Sequence, residues 1–206
     1  FLLDWHRDWY TAHDPAKWAK GSRPALVQTS KGWVLTIAER KRILLNNIFG
    51  VDIDPQAVEI TMMSLYIKAL EGETTLPHKH GLLPSLKDNI RCGNSLIGPD
   101  YLEGQLVSDA EEWERVKPFD WENGFPQVFR PSPRGTRRGA GDEGGFDCVI
   151  GNPPYVRQET LGAPFKEYVK RRFEVYDGVA DLYTYFIEQS HLLLKLGGLF
   201  GMICSN

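Results

Sequence analysis

Phe146-Asp147-Cys148-Val149-Ile150-Gly151-Asn152-Pro153-Pro154-Tyr155 runs an apolar stretch into a stiff polar arm. Residues 146–151 read as a fully buried strand of a parallel sheet, with the next four residues at its carboxyl end. Each proline fixes its own φ and pushes its predecessor into an extended conformation. Asn152 and Pro153 both precede a proline, so the Asn152 side chain and the Pro153 carbonyl are held pointing one way. Two aligned acceptors beside the Tyr155 ring suit a planar substrate that carries an NH2 group. An ordinary Pro-rich turn after a strand fits the same letters, so the surrounding elements decide.

Upstream, Ile48 to Val51 reads as a short buried strand followed by Asp52-Ile53-Asp54-Pro55. Asp54 is a good N-cap, and Pro55 sits where the first helical residue belongs. The helix then runs through Ala57, Val58, Met62, Leu65 and Leu70 to a stop at Gly72. An acid at a strand's carboxyl end, just before a helix, is where nucleotide-binding folds hold a ribose by its hydroxyls. Asp52 is the candidate, with Ile53 packing on an adenine face; a turn-forming aspartate is the plainer alternative. Asn89-Ile90-Arg91-Cys92-Gly93-Asn94-Ser95 reads as strand then turn. Asn94 could bond an adenine edge, or satisfy its own backbone in an Asx turn. A further strand, Leu199 to Cys204, follows an amphipathic helix from about Ala180 to Lys195 and a Gly197-Gly198 turn. Strands alternating with helices indicate an α/β class with a doubly wound, largely parallel sheet.

The Asn-Pro-Pro-Tyr arm resembles motif IV of the amino-methyltransferases, which move a methyl group from S-adenosylmethionine to an exocyclic or amide nitrogen. An aniline-like amine is a poor nucleophile because its lone pair is delocalised into the ring. Two acceptors can draw the nitrogen towards a tetrahedral shape and stabilise its developing positive charge, without a base or a metal. The strings GVDIDPQAVEI, NIRCGNSLIG, FDCVIGNPPYVRQE, YDGVADLYTYFIE and LGGLFGMICSN follow in that order. Together they resemble the DNA adenine-N6 methyltransferases of type II restriction–modification systems, in the group where methylase and endonuclease often share a polypeptide. The resemblance spans residues 1–206 and is weaker over about 100–145.

That resemblance implies an S-adenosylmethionine-dependent class I (Rossmann-like) methyltransferase domain in gamma-type motif order. It implies Asp52 as the acid that binds the cofactor's ribose, beside which Ile53 is read as packing on the cofactor, Asn94 against the cofactor's adenine, and Asn152, Pro153, Pro154 and Tyr155 as the catalytic arm. The partner it implies is double-stranded DNA with the adenine flipped out to stack on Tyr155; it leaves open an endonuclease domain in the same polypeptide, for which these residues carry no nuclease motif. The family's Gly-rich first motif would precede Phe1, and its last strands and target-recognition domain would follow Asn206. The chain is therefore expected to be an interior, partial catalytic domain that neither holds cofactor tightly nor selects DNA alone. Glutamine-N5 protein methyltransferases and guanine-N2 RNA methyltransferases carry a similar arm and stay open, as does a non-catalytic remnant. The long insertion and the VRQE and DLYTYFIE strings favour the DNA enzyme.

The remaining letters set bounds. Gly139-Ala140-Gly141-Asp142-Glu143-Gly144 fits G-x-G-x-x-G, but it follows a loop and opens onto a strand, so both context tests fail. With 206 residues and 42% hydrophobic content, the chain has the size of one globular domain. No apolar run is long enough for a membrane span, and no signal-peptide layout opens the chain, so no membrane partner is expected; the odd number of cysteines argues against a disulfide framework and for a reducing cytoplasm. Cys92, Cys148 and Cys204 each fall in an expected central strand as small buried thiols. His78 and His80 lack a Cys or carboxylate at ligand spacing, so no metal site is expected.

The net charge of −3 is not that of a nucleic-acid coat protein, so a DNA contact would need a local basic surface. Arg130, Arg134, Arg137 and Arg138 form one cluster. Lys166, Lys170, Arg171 and Arg172 form another at helical spacing, where a solvated face is the plainer reading. Residues 1–13 read as an aromatic-rich helix, Asp14 to Lys31 as loop, and Thr36-Ile37-Ala38-Glu39 as a capping box. Residues from about 98 to 145 read as an insertion whose Phe119, Trp121, Phe125 and Phe129 pack on the sheet's edge, with Pro131 to Gly145 mobile.

Overall fold

The computed structural model describes residues 1–72, 85–102, 110–129, 144–156 and 162–204. The chain forms two compact units, Phe1–Cys92 and Gly93–Asn206. The Gly-rich decoy up to Glu143, the histidine pair and the four-arginine loop cluster fall outside the described residues.

The first unit starts with the expected helix, α1 (Leu2–Ala12), and a short α2 (Pro15–Trp18). The stretch read as loop then yields an antiparallel hairpin, β1 (Leu26–Thr29) and β2 (Gly32–Leu35), with Leu26 opposite Leu35. Its turn depends on Gly32, whose φ of 107° favours glycine. Helix α3 (Ile37–Asn47) is capped as expected, with Thr36 Oγ1 accepting from the Glu39 N–H at 3.2 Å.

The other half of the capping box does not form, because the Glu39 carboxylate is taken elsewhere. It accepts from the Tyr10 hydroxyl at 2.6 Å and from Arg42 Nη2 at 2.6 Å and Nε at 2.9 Å. Arg42 holds the Glu39 carboxyl below the usual carboxylate range; burial opposes this and the Tyr10 hydroxyl assists it. That buried link fastens α1 to α3 above a core of Tyr10, Leu26, Leu35 and Ile43.

Strand β3 (Gly50–Asp52) and helix α4 (Pro55–Leu70) follow, and β4 (Ile90–Cys92) pairs in parallel with β3, Gly50 opposite Ile90. Buried Asn89 sets this pairing. Its side chain donates to the Leu45 and Ile48 carbonyls at 2.7 and 2.9 Å, and its own carbonyl accepts from the Gly50 N–H at 2.9 Å.

The second unit contains a 3-10 turn (Pro99–Leu102) and the short helices α5 (Ala110–Val116), α6 (Trp121–Gly124) and α7 (Pro126–Phe129). Next come β5 (Phe146–Gly151), α8 (Gly162–Arg172), α9 (Leu182–Leu193) and β6 (Leu194–Met202). Strands β5 and β6 are parallel, with a register shift between Phe146 and Cys148. Ile97, Phe165, Tyr168, Val169 and Tyr185 belong to the core. The Tyr168 hydroxyl, raised above its ordinary pKa chiefly by burial, accepts from the Gly98 N–H at 2.9 Å. The insertion aromatics pack as expected: Trp121, Phe125 and Phe129 surround Phe146 at the start of β5, and Phe119 lies against Trp121 and Phe125.

The class is α/β, but among the described residues the strands form three two-stranded sheets, two of them parallel. The full burial expected of residues 146–151 is not found. Cys148 and Ile150 share one face of β5 by strand alternation, and both are exposed, Ile150 by 81%. All three cysteines are free and exposed, which corrects the buried-thiol reading. Burial on both faces requires a helical layer on each, and a two-stranded pair lacks that cover here. Boundaries also move: β6 starts at Leu194, and the Gly197-Gly198 pair lies within it. Among the described residues no helix is long and apolar enough to cross a membrane.

Candidate active site

In the first unit, Asp52 ends β3 and is exposed. Its Oδ1 accepts from the Asp54 N–H at 2.8 Å, which forms the turn from strand to helix. Asp54 Oδ1 accepts from the Gln56 N–H at 2.9 Å and caps α4, with Pro55 in the first turn. The plainer reading of Asp52 as a turn former is therefore correct for one oxygen. The second has no partner among the described residues. Ile53 beside it is 49% exposed. An open carboxylate oxygen next to an uncovered apolar side chain fits the hydroxyls and base of a nucleoside.

In the second unit, Asn94 uses its side-chain oxygen locally, accepting from the Leu96 and Ile97 N–H groups at 3.1 and 3.2 Å. The Asx-turn reading holds for that oxygen, and the group left to meet a ligand is the side-chain NH2. Asn94 also donates its backbone N–H to the Lys117 carbonyl at 2.7 Å, which ties the turn to the end of α5.

The arm leaves β5 where Gly151 pairs with Met202. The Ile203 N–H donates to the Gly151 carbonyl at 3.1 Å, and the Tyr155 hydroxyl donates to the Ile203 carbonyl at 3.0 Å. One residue further, the Leu182 N–H at the start of α9 donates to the Val156 carbonyl at 2.8 Å. Pro153 is buried, while Asn152, Pro154 and Tyr155 are exposed. Among the described residues none bonds the Asn152 amide. A tetrapeptide held on both sides, with its amide exposed, can accept hydrogen bonds from an incoming amine.

Asp52 and Ile53 thus adjoin in one unit, while Asn94 and Asn152–Tyr155 occupy ends of different elements in the other. The sequence reading missed Ile203, Val156 and Leu182. They act through main-chain atoms, which carry no side-chain signature. Of the basic helix, Arg171 donates to the Asp100 carbonyl at 2.9 Å and lies over the Tyr168 ring, and Arg172 lies over Phe173. Two of its four cations therefore pack on their own unit, as a solvated face would. Among the described residues no cluster of His, Cys, Asp and Glu could hold a metal.

The chain is 30% identical over 209 aligned residues to the type II restriction enzyme and methyltransferase RM.Eco57I of Escherichia coli, covering 98% of this chain and 18% of that protein. It is 52% identical over 62 residues to the type II methyltransferase M.BstVI of Geobacillus stearothermophilus, covering 30% of this chain and 11% of the other. The adenine-specific methyltransferase PglX of Streptomyces coelicolor is 24% identical over 139 residues, 64% of this chain and 10% of its own. The chain thus spans less than a fifth of each of these relatives. A family model described as the Eco57I restriction-modification methylase matches residues 46–206, which include every candidate site residue. On that match the chain belongs to the Eco57I restriction-modification methylase family.

Proposed function

We propose that the polypeptide carrying this chain transfers a methyl group from S-adenosylmethionine to N6 of an adenine flipped out of double-stranded DNA. The observation that carries the reading is the Asn152–Tyr155 arm, anchored at both ends at the carboxyl end of a parallel strand, with the Asn152 side chain exposed and unbonded among the described residues. The parallel pairing within each unit, β3 with β4 and β5 with β6, supports a doubly wound fold of the Rossmann-like methyltransferase type, where ligands meet the carboxyl ends of strands. Relatives named as a fused restriction enzyme and methyltransferase support an endonuclease domain in the same polypeptide.

S-adenosylmethionine, when bound, supplies an electrophilic methyl group. Asp52 would hold its ribose through the open carboxylate oxygen, Ile53 would cover the adenine face, and the Asn94 NH2 would donate to an adenine nitrogen. The Asn152 amide oxygen and the Pro153 carbonyl accept the two N–H groups of the target amine and turn its lone pair out of conjugation. Tyr155 stacks on the flipped base, and Pro154 keeps ring and acceptors in a fixed relation. An amide is no base, so the proton of the methylated amine leaves to solvent.

The test uses the complete polypeptide, isotope-labelled S-adenosylmethionine and a mixture of unmethylated DNA, RNA and protein, with mass spectrometry of the digests. Label in DNA N6-methyladenine, reduced about 100-fold or more by Asn152→Ala with cofactor binding intact, is the expected result. Label in glutamine or guanine would move the assignment to another acceptor.

A further inference from the structure

We infer that the Tyr155 hydroxyl is a positioning group: its bond to the Ile203 carbonyl presets the plane of the stacking ring before the base arrives. The inference rests on the proposed methyl transfer. Tyr155 is 54% exposed, so packing alone does not hold its ring. A half-solvated aromatic side chain exchanges among rotamers unless something selects one. The selecting contact is at the far end of the ring, where the hydroxyl donates to the Ile203 carbonyl at 3.0 Å, 48 residues away in sequence.

The partner is an unusual residue for this purpose because it grips the arm twice. Its N–H donates to the Gly151 carbonyl at 3.1 Å, just before Asn152, and its carbonyl receives the hydroxyl just after Pro154. One peptide unit on each side of the Ile203 Cα therefore brackets the acceptors and the ring together. The two prolines between them remove most of the remaining backbone freedom. Ring plane and acceptor direction are thereby referred to the same point at the end of β6.

A preset ring spares the flipped base the entropy of ordering its own platform. The hydroxyl's proton is committed to the Ile203 carbonyl, so the phenol serves as an anchor and not as an acid in the transfer. Phenylalanine keeps the stacking surface and loses only the anchor.

The experiment compares wild type, Tyr155→Phe and Tyr155→Ala in the complete polypeptide. It uses amplified, unmethylated genomic DNA and isotope-labelled S-adenosylmethionine, and it measures kcat, both KM values and cofactor-binding stoichiometry. For Tyr155→Phe we expect kcat to fall about three- to tenfold, the population bias of one ordinary hydrogen bond, with KM values and stoichiometry unchanged. Tyr155→Ala, lacking ring and anchor, falls further. A wild-type kcat in Tyr155→Phe overturns the inference while methyl transfer stands. Equal losses in Phe and Ala variants, with a raised KM for cofactor, also overturn it and mark a general structural role. Absence of transfer by the wild type removes the underlying reading, and this inference with it.

Discussion

Glu39→Ala deletes the shared acceptor of three donors: two from Arg42 on the same helix, and the Tyr10 hydroxyl that fastens α1 to α3. Glu39 is 8% exposed and Tyr10 is 7% exposed, so their bond is dry. A hydrogen bond to a charged group of that kind contributes about 1.5–3 kcal/mol. The Arg42 contacts contribute less, about 0–1 kcal/mol, because its side chain is 51% exposed and water replaces the lost carboxylate. Relief of the carboxylate's own desolvation offsets part of this. The net expectation is a loss of about 2–3 kcal/mol, which at an ordinary urea slope lowers the midpoint by about 1 M.

The pH dependence has a definite sign. The Glu39 carboxyl is depressed in the fold, first by Arg42 and then by Tyr10, with burial opposing. A depressed carboxyl contributes stability that is fully present above its unfolded value, about 4.3, and is lost as the pH falls through the folded value. The gap between wild type and Glu39→Ala should therefore be widest near neutrality and narrow as the pH falls through the depressed folded value. Urea titrations followed by tryptophan fluorescence weight the right unit, since four of the six tryptophans, Trp5, Trp9, Trp18 and Trp33, lie in it, and replacing Trp113 and Trp121 by Phe removes the signal of the other. A gap below about 0.5 kcal/mol at neutral pH, or a cycle with Tyr10→Phe showing no coupling, would refute the reasoning.

Phe125, wholly buried among Phe119, Trp121 and Phe146, should cost about 3–5 kcal/mol when truncated to Ala, and a loss under about 1 kcal/mol in urea melts would show that the insertion does not support β5. Asp52→Ala in the complete polypeptide should raise the Kd for S-adenosylmethionine by about ten- to a hundredfold in calorimetry; an unchanged Kd would take Asp52 out of the cofactor site.

What the letters revealed follows from how local each signal is. The turn from β3 to α4 was legible because Asp54 and Pro55 act on their own neighbours, and the arm was legible because prolines restrict the backbone wherever they occur. The hairpin of β1 and β2 was overlooked, although Gly32 between two short alternating stretches was its signal. Glu39 had the spacing of a capping box, yet a tyrosine 29 residues away claimed its carboxylate, and no local pattern reports a competitor at that range. Burial of the cysteines was inferred from strand character alone, whereas exposure depends on what lies against the strand. Asn94 shows the same limit within one side chain: its turn role was readable, and only geometry shows which of its two polar atoms remains open.

The arm also separates folding from chemistry at atomic resolution. Its shape is held by Gly151, Tyr155, Val156 and the backbone of Ile203, while the Asn152 amide supports nothing around it among the described residues. A side chain that stabilises no neighbour can be exchanged with little thermodynamic consequence, usually within about 0.5 kcal/mol. Under the proposed function, Asn152→Ala in the complete polypeptide would then be a well-folded decoy that still seizes its DNA and lets it go unmodified. Such a decoy, immobilised and incubated with a library of random duplexes, would enrich the sequence it prefers, and sequencing the retained strands would read out a recognition site directly.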